Sequence, residues 1–254
     1  MLIELCERIA QRSFDHLGAR VIVLWPHTTL SLAGTPMHID VAFLNGHTIN
    51  SPGSIGVESD NDTISEFDFS AMLAMQFQNA GLPFTQAHFE RPTGERVEQA
   101  SLRIMERIAT YTPKAIVEIH FNYLDPGTFR PDSWLWDATT ALYAPGYEEA
   151  ERLGECLVNK VSGLLGTPNR KIQKQTRSWS SNTRYDNGNR GPNGPTLTTL
   201  LEGRRHRIPT VILETHVGNK PEWHDKAMAA LRDHSLADAI AAGLHEFLLL
   251  GGAA

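Results

Sequence analysis

Lys114–Tyr123 reads KAIVEIHFNY. Ala115–Ile119 within it is short, β-branched and largely apolar, the pattern of a buried strand. His120 and Asn122 close the run, and a Pro/Gly-rich loop, Asp125–Pro131, follows. Open α/β sheets carry their chemistry at the C-terminal edges of parallel strands. The stretch therefore predicts both a sheet and a place for a site. Two other segments have the same form. His38–Leu44 (HIDVAFL) runs into Asn45-Gly46-His47, and Val211–Glu214 (VILE) ends in a carboxylate.

Outward from these strands, helical and extended patterns alternate. Leu2–Leu17 has an apolar face closed by Gly18, and Val21–Trp25 is a short strand. Thr48–Asn61 is a polar, Gly-rich loop, and Thr63 or Ser65 caps a helix to about Asn79. Phe84–His88 is extended, and Thr93 caps a helix to about Thr110, stopped by Pro113. After the His120 loop, Ala138–Ala144 is a strand and Tyr147–Leu165 an amphipathic helix. Thr196–Glu202 is a helical turn, Thr210–Glu214 the last strand, and Glu222–Leu250 mostly helix. This alternation predicts a single α/β domain over residues 1–254. Its sheet is mostly parallel and twisted, with about six strands and helices on both faces, a phosphorylase/hydrolase-like arrangement. Residues 1–37 are an N-terminal extension, and 167–195 an insertion loop too long for a plain connection.

Composition excludes several classes. A net charge of −6 over 254 residues gives no basis for a nucleic-acid partner or an anionic membrane. No apolar run is long enough to span a bilayer. The first residues contain acids and lack a basic-then-apolar order, so no signal peptide is read. The expectation is cytoplasmic synthesis, with release or export to reach an outside substrate. Cys6 and Cys156 fall in helical patterns and read as packed thiols. There is no phosphate-cradling Gly loop, no GxSxG elbow and no cysteine placed as a nucleophile.

Of the 11 histidines, His16, His224, His234 and His245 fall in helical patterns, His38 opens a strand, and His206 sits in GRRHR. These read as structural or solvated. His27, His47, His88, His120 and His216 lie near strand ends. His47 follows Gly46, Gly53-Ser54-Ile55-Gly56 forms a turn, and Glu66 opens the next helix. His47, Glu66 and His120 together offer two imidazoles and a carboxylate. That set suits Zn²⁺ at about 2.0–2.2 Å with one position left open. Glu214 would then carry a proton; standing alone, it reads rather as the partner of a nearby arginine such as Arg205 or Arg207. Glu58 is a second candidate ligand, and Trp25–His27 a rival first motif. In the 167–195 loop, Arg184 and Arg190 interleave with Trp179. They could hold an acidic glycopeptide or be solvated, while Trp134 and Trp136 read as edge-of-core packing.

In order along the chain, LNGHTINSPGSIG, SEFDFSAML, VEIHFN and PTVILETHVGNKPE resemble the motifs of zinc-dependent N-acetylmuramoyl-L-alanine amidases of the AmiC-like, amidase-3 family. The resemblance spans roughly Val41 to Ala227. It implies one Zn²⁺ per chain on His47, Glu66 and His120, and Glu214 as the catalytic carboxylate. The implied reaction is hydrolysis of the amide between N-acetylmuramic acid and L-alanine in peptidoglycan or muropeptides. Asn122 would shape the strand end. The chain departs from the family's pattern in having Leu44-Asn45 before Gly46-His47, and His216-Val217 shortly after Glu214. Two other readings stay open. One is a carboxypeptidase-like or N-formylglutamate-deformylase-like zinc hydrolase, with Arg91, Arg184 or Arg190 clamping a free carboxylate. The other is a glycan-binding module that does not cut.

Overall fold

The computed structural model describes residues 39–79, 81–91, 94, 97–124, 138–144, 146–168, 173–174 and 194–251. The expected helix and strand before His38, His27, Cys6, Trp134, Trp136 and the Trp179–Arg190 part of the insertion lie outside these residues.

The strands are β1 (Val41–Asn45), β2 (Ile55–Val57), β3 (Thr63–Ser65), β4 (Gln86–Phe89), β5 (Ala115–Asn122), β6 (Thr140–Tyr143), β7 (Gln173–Lys174) and β8 (Thr210–Val217). Six form one sheet in the order β4-β1-β5-β8-β6-β7. All neighbours in it are parallel except β6 and β8, which are antiparallel. The fold is thus α/β with a mostly parallel six-stranded sheet, as the alternating pattern predicts. Strands β2 and β3 form a separate antiparallel hairpin.

The helices are α1 (Glu66–Asn79), α2 (Val97–Ala109), α3 (Glu148–Leu165), α4 (Gly194–Arg205), α5 (Pro221–Arg232) and α6 (Ser235–Gly251). Side-chain alternation along the strands decides which helix covers which face. Val41, Phe43, Val117, Ile119, Val211 and Leu213 pack with Phe69 and Phe77 of α1, Leu157 of α3 and Leu244 of α6. On the other face, Ala42, Leu44 and Ile116 meet Ile104, Met105 and Ile108 of α2, and Ile212 meets Leu200 of α4. Apolar residues of β5 and β8 are buried on both faces, which is why the two strands read as nearly continuous apolar runs.

One local expectation differs from the structure, and two are made more definite by it. The predicted turn at Thr196–Glu202 is part of a twelve-residue helix, α4. Its sequence, GPTLTTLLEGRR, mixes Leu, Glu and Arg with Gly, Pro and three threonines, which weaken the local helix signal. Burial of Thr199 and Leu200 against the sheet side adds support. Glu222–Leu250 is mostly helix, as expected, and divides into α5 and α6 with His234 between them at φ +71°. The carboxylate of Asp233 accepts the Ser235 N–H (2.9 Å), starting a new helix where neither Gly nor Pro marks a break. At the start of α1 the cap is Ser65, whose Oγ accepts the Asp68 N–H at 3.1 Å, while Thr63 belongs to β3.

Candidate metal and hydrolytic site

At the C-terminal ends of β1 and β5, His47, Glu66 and His120 each direct one donor atom to a common point, all within 4.8 Å of one another. Glu66 is the centre. Its Oε2 lies 2.8 Å from His47 Nε2 and 2.9 Å from His120 Nδ1. Its other oxygen accepts the Ser54 N–H at 3.0 Å, while its own N–H donates to Ser54 O at 3.1 Å. The β2–β3 hairpin thus returns the chain so that the first residue of α1 faces both imidazoles.

Two glycines make room for the rings. A Cβ at Gly46 would overlap the imidazole of His120. Gly53 has φ +82°, and a Cβ there would stand 2.6 Å from His47 Cδ2. The side chain of His47 is 28% exposed, whereas His120 and Glu66 are each 6% exposed. Of the three donors, His47 is thus the accessible one, and the other two are enclosed.

Glu214 is the register partner of His120 across the β5–β8 pairing. Neither expected arginine partner reaches it in a charge pair: Arg205 bonds Glu202 at 2.9 Å. Glu214 Oε2 is buried without a hydrogen-bond partner among the described residues. Glu58, the second candidate ligand, is instead bonded to Arg232 (2.6 Å) and is not one of the three converging residues. Asn122 accepts the Tyr123 N–H at 2.8 Å, and the β5–β8 register shifts between His120 and Asn122.

A second carboxylate, unforeseen from the sequence, completes the surroundings of His120. Glu118 Oε1 lies 2.8 Å from His120 Nε2 and 2.8 Å from Arg91 Nη2, with Arg91 and Glu118 both fully buried. This corrects the reading of Arg91 as a substrate clamp. Its guanidinium donates to Asn45 O (2.7 Å), Gly46 O, Ser101 Oγ (3.0 Å) and Thr199 Oγ1 (3.2 Å), which leaves no open fork for a ligand. The signal was present: a charge at the second position before His120, inside an apolar strand, shares its face and needs a buried partner.

His216, buried against Phe69 and Phe121, lies 2.9 Å from Thr215 Oγ1 and 2.8 Å from His224 Nδ1. The pair is a packed polar chain behind β8. Asn219 brackets Leu124 by accepting its N–H (3.0 Å) and donating to its carbonyl.

Burial and charge set the protonation of this cluster. Burial by itself would lower the His120 pKa, but the carboxylates of Glu118 and Glu66 outweigh it and push the imidazole up to about 10. For Glu66, burial would raise the pKa, yet the hydrogen bonds from His120 and His47 hold it well below the usual carboxylate range. Glu118 is likewise held low, with burial opposed chiefly by the Arg91 charge. Burial dominates at Glu214 and raises its pKa to about 7, with His120 opposing and Glu66 and Glu118 adding.

The donor chemistry suits a divalent ion. Two imidazole nitrogens and one carboxylate oxygen converge without a competing arginine or lysine among the three, and the carboxylate is already shared by both rings.

No protein-family model matches the chain, and no curated protein sequence matches it. Solved structures do. The fold is that of an open α/β domain, and the cluster lies at the strand ends, where such sheets place their ligand sites. More particularly, the chain has the fold of N-acetylmuramoyl-L-alanine amidases. It aligns with the N-acetylmuramoyl-L-alanine amidase from Clostridium difficile 630 at a TM-score of 0.55 and 14% identity, covering 84% of this chain and 98% of that one. With the catalytic domain of CwlV, N-acetylmuramoyl-L-alanine amidase from Bacillus (Paenibacillus) polymyxa var. colistinus, the TM-score is 0.52 at 17% identity, over 83% and 98%. Cwp6 from Clostridium difficile aligns at 0.52 and 13% identity over 82% of this chain, which spans 28% of Cwp6. At these identities the likeness is one of fold.

Proposed function

We propose that this protein is a zinc-dependent N-acetylmuramoyl-L-alanine amidase-like hydrolase, acting on peptidoglycan or muropeptides and formed by the chain as one catalytic domain. The observation that carries the reading is the convergence of His47, Glu66 and His120 beside Glu214 at the strand ends. The amidase fold of its structural neighbours supports the choice of bond. His47, Glu66 and His120 would hold the ion, which supplies Lewis-acid polarisation of the scissile carbonyl.

The remaining work falls to the chain's own residues. Glu214, with its pKa near neutrality, takes a proton from the attacking water and returns it to the departing amide nitrogen. His120 is kept in one orientation by its strand and by Glu118. Exposure of His47 leaves the substrate an approach from that side. Arg184, Arg190 and Trp179 remain our candidates for contacts to an acidic glycopeptide, with Asn122 at the strand end. No helix among the described residues is long and apolar enough to cross a membrane, and we place the action of the enzyme at the wall after release or export.

The acyl-amino-acid alternative loses one of its proposed clamps, because Arg91 is buried and fully engaged. The test is metal content together with digestion of purified muropeptides. About one zinc per wild-type chain, lost in His47→Ala and His120→Ala, with release of free stem peptide by wild type alone, supports the reading. Wild-type protein that takes up no divalent ion overturns it.

A further inference from the structure

We propose that Arg91 and Glu118 are positioning residues that register both imidazoles of the metal site, with Glu118 holding His120 so that Nδ1 is the ligating nitrogen. The inference rests on the metal-hydrolase reading above and extends it beyond the three ligands.

His120 has two ring nitrogens with different surroundings. Nδ1 faces Glu66 at 2.9 Å, and Glu66 also faces His47. Nε2 points the other way, onto Glu118 Oε1 at 2.8 Å. An ionised carboxylate only accepts, so Nε2 carries the hydrogen and donates it to Glu118. In a neutral ring that leaves the Nδ1 lone pair directed toward the other two donors. A buried carboxylate needs a partner to remain ionised, and Arg91 Nη2 supplies it at 2.8 Å.

The same guanidinium acts on the second imidazole. Its Nη1 donates to the carbonyls of Asn45 and Gly46, the two residues immediately before His47. One buried side chain thus ties the end of β1 to the Glu118 carboxylate on β5. Ser101 and Thr199, from α2 and α4, hold Arg91 itself. The layer of helices over this face is thereby connected to the geometry of the metal ligands.

Removing one partner would strand a buried charge, so the variant to use is Arg91→Met/Glu118→Leu, which removes both. Zinc affinity is read by competition against a chromophoric chelator, on the full chain, beside Glu118→Gln. The amide of Glu118→Gln still offers an oxygen to the Nε2–H. We expect affinity about 10–100-fold weaker in the double variant and substantially better retained in Glu118→Gln. A folded double variant that binds zinc as tightly as wild type overturns the proposal. Wild-type protein that binds no zinc overturns instead the reading on which it rests. Should the double variant not fold, long-range ¹⁵N–¹H spectra of the zinc-loaded wild type decide. A proton on Nε2 of His120 supports the proposal, and a proton on Nδ1 sinks it.

Discussion

His120 and Glu214 are register partners on the adjacent parallel strands β5 and β8. The pairing brings an imidazole already shared between two carboxylates beside a third, which burial holds near neutrality. Backbone ladder bonds, rather than a side-chain contact, set this neighbourhood. Thr215 adds to it by donating its hydroxyl to the His120 carbonyl at 3.1 Å.

Because Glu214 is placed by the ladder and is not one of the three converging donors, its side chain separates binding from turnover. Glu214→Gln should keep the wild-type zinc content while losing about 10²–10⁴ in kcat, the usual worth of a positioned general base. Metal analysis and a muropeptide digest on the same preparation check this. Loss of zinc in that variant would make Glu214 a ligand.

Gly46→Ala tests the packing of the site. The new methyl group would occupy the space of the His120 ring, so either the ring leaves its position or β1 moves. Zinc affinity should fall by at least about tenfold, with a stability cost of about 1–3 kcal/mol from overpacking. Gly53→Ala adds backbone strain of order 1 kcal/mol at φ +82° and crowds His47. Chelator competition and urea unfolding measure the two parts. Unchanged affinity in both variants would mean that the imidazoles do not need these cradles.

The strands and the three converging residues were legible because each has a local cause. Apolar runs such as AIVEI and VILE must be buried, and histidines at their ends lie on a sheet edge. Glu118 was legible only as a buried charge on the face of His120; its part in the site depends on Arg91 arriving from beyond β4, which the strand pattern does not give. Helix α4 was legible only in part, because Gly194, Pro195 and three threonines weaken its local signal and the burial of Leu200 supplies the rest. The break between α5 and α6 escaped because an Asp–Ser hydrogen bond ends one helix and begins another without glycine or proline.

Zinc should stabilise the fold by an amount that grows with the logarithm of free zinc over Kd. Free zinc at about a hundredfold over Kd adds about 2.7 kcal/mol to unfolding if only the folded chain binds it. Thermal unfolding with and without a chelator should show that difference in wild type and none in His120→Ala. Equal stabilisation of both proteins would place the bound ion elsewhere.

Acid stability should depend on His88, far less exposed than a solvated histidine. It pairs in register with Phe43, and both its ring nitrogens are buried without a partner among the described residues. Burial pushes its pKa down to about 4, against about 6.5 in an unfolded chain. Above the unfolded value the ring is neutral in both states and its burial costs nothing in protons. As pH falls below about 6.5 the unfolded chain takes up a proton that the folded chain refuses, so stability declines until about pH 4. The slope is about 1.4 kcal/mol per pH unit for one such group. His216, held well below its ordinary value by burial and by neighbouring His224, acts in the same direction. Urea unfolding of metal-free protein at pH 7 and pH 5 should therefore show His88→Leu losing about 2 kcal/mol less than wild type over that interval. Equal losses would show that His88 is protonated in the fold with a solvent-like affinity.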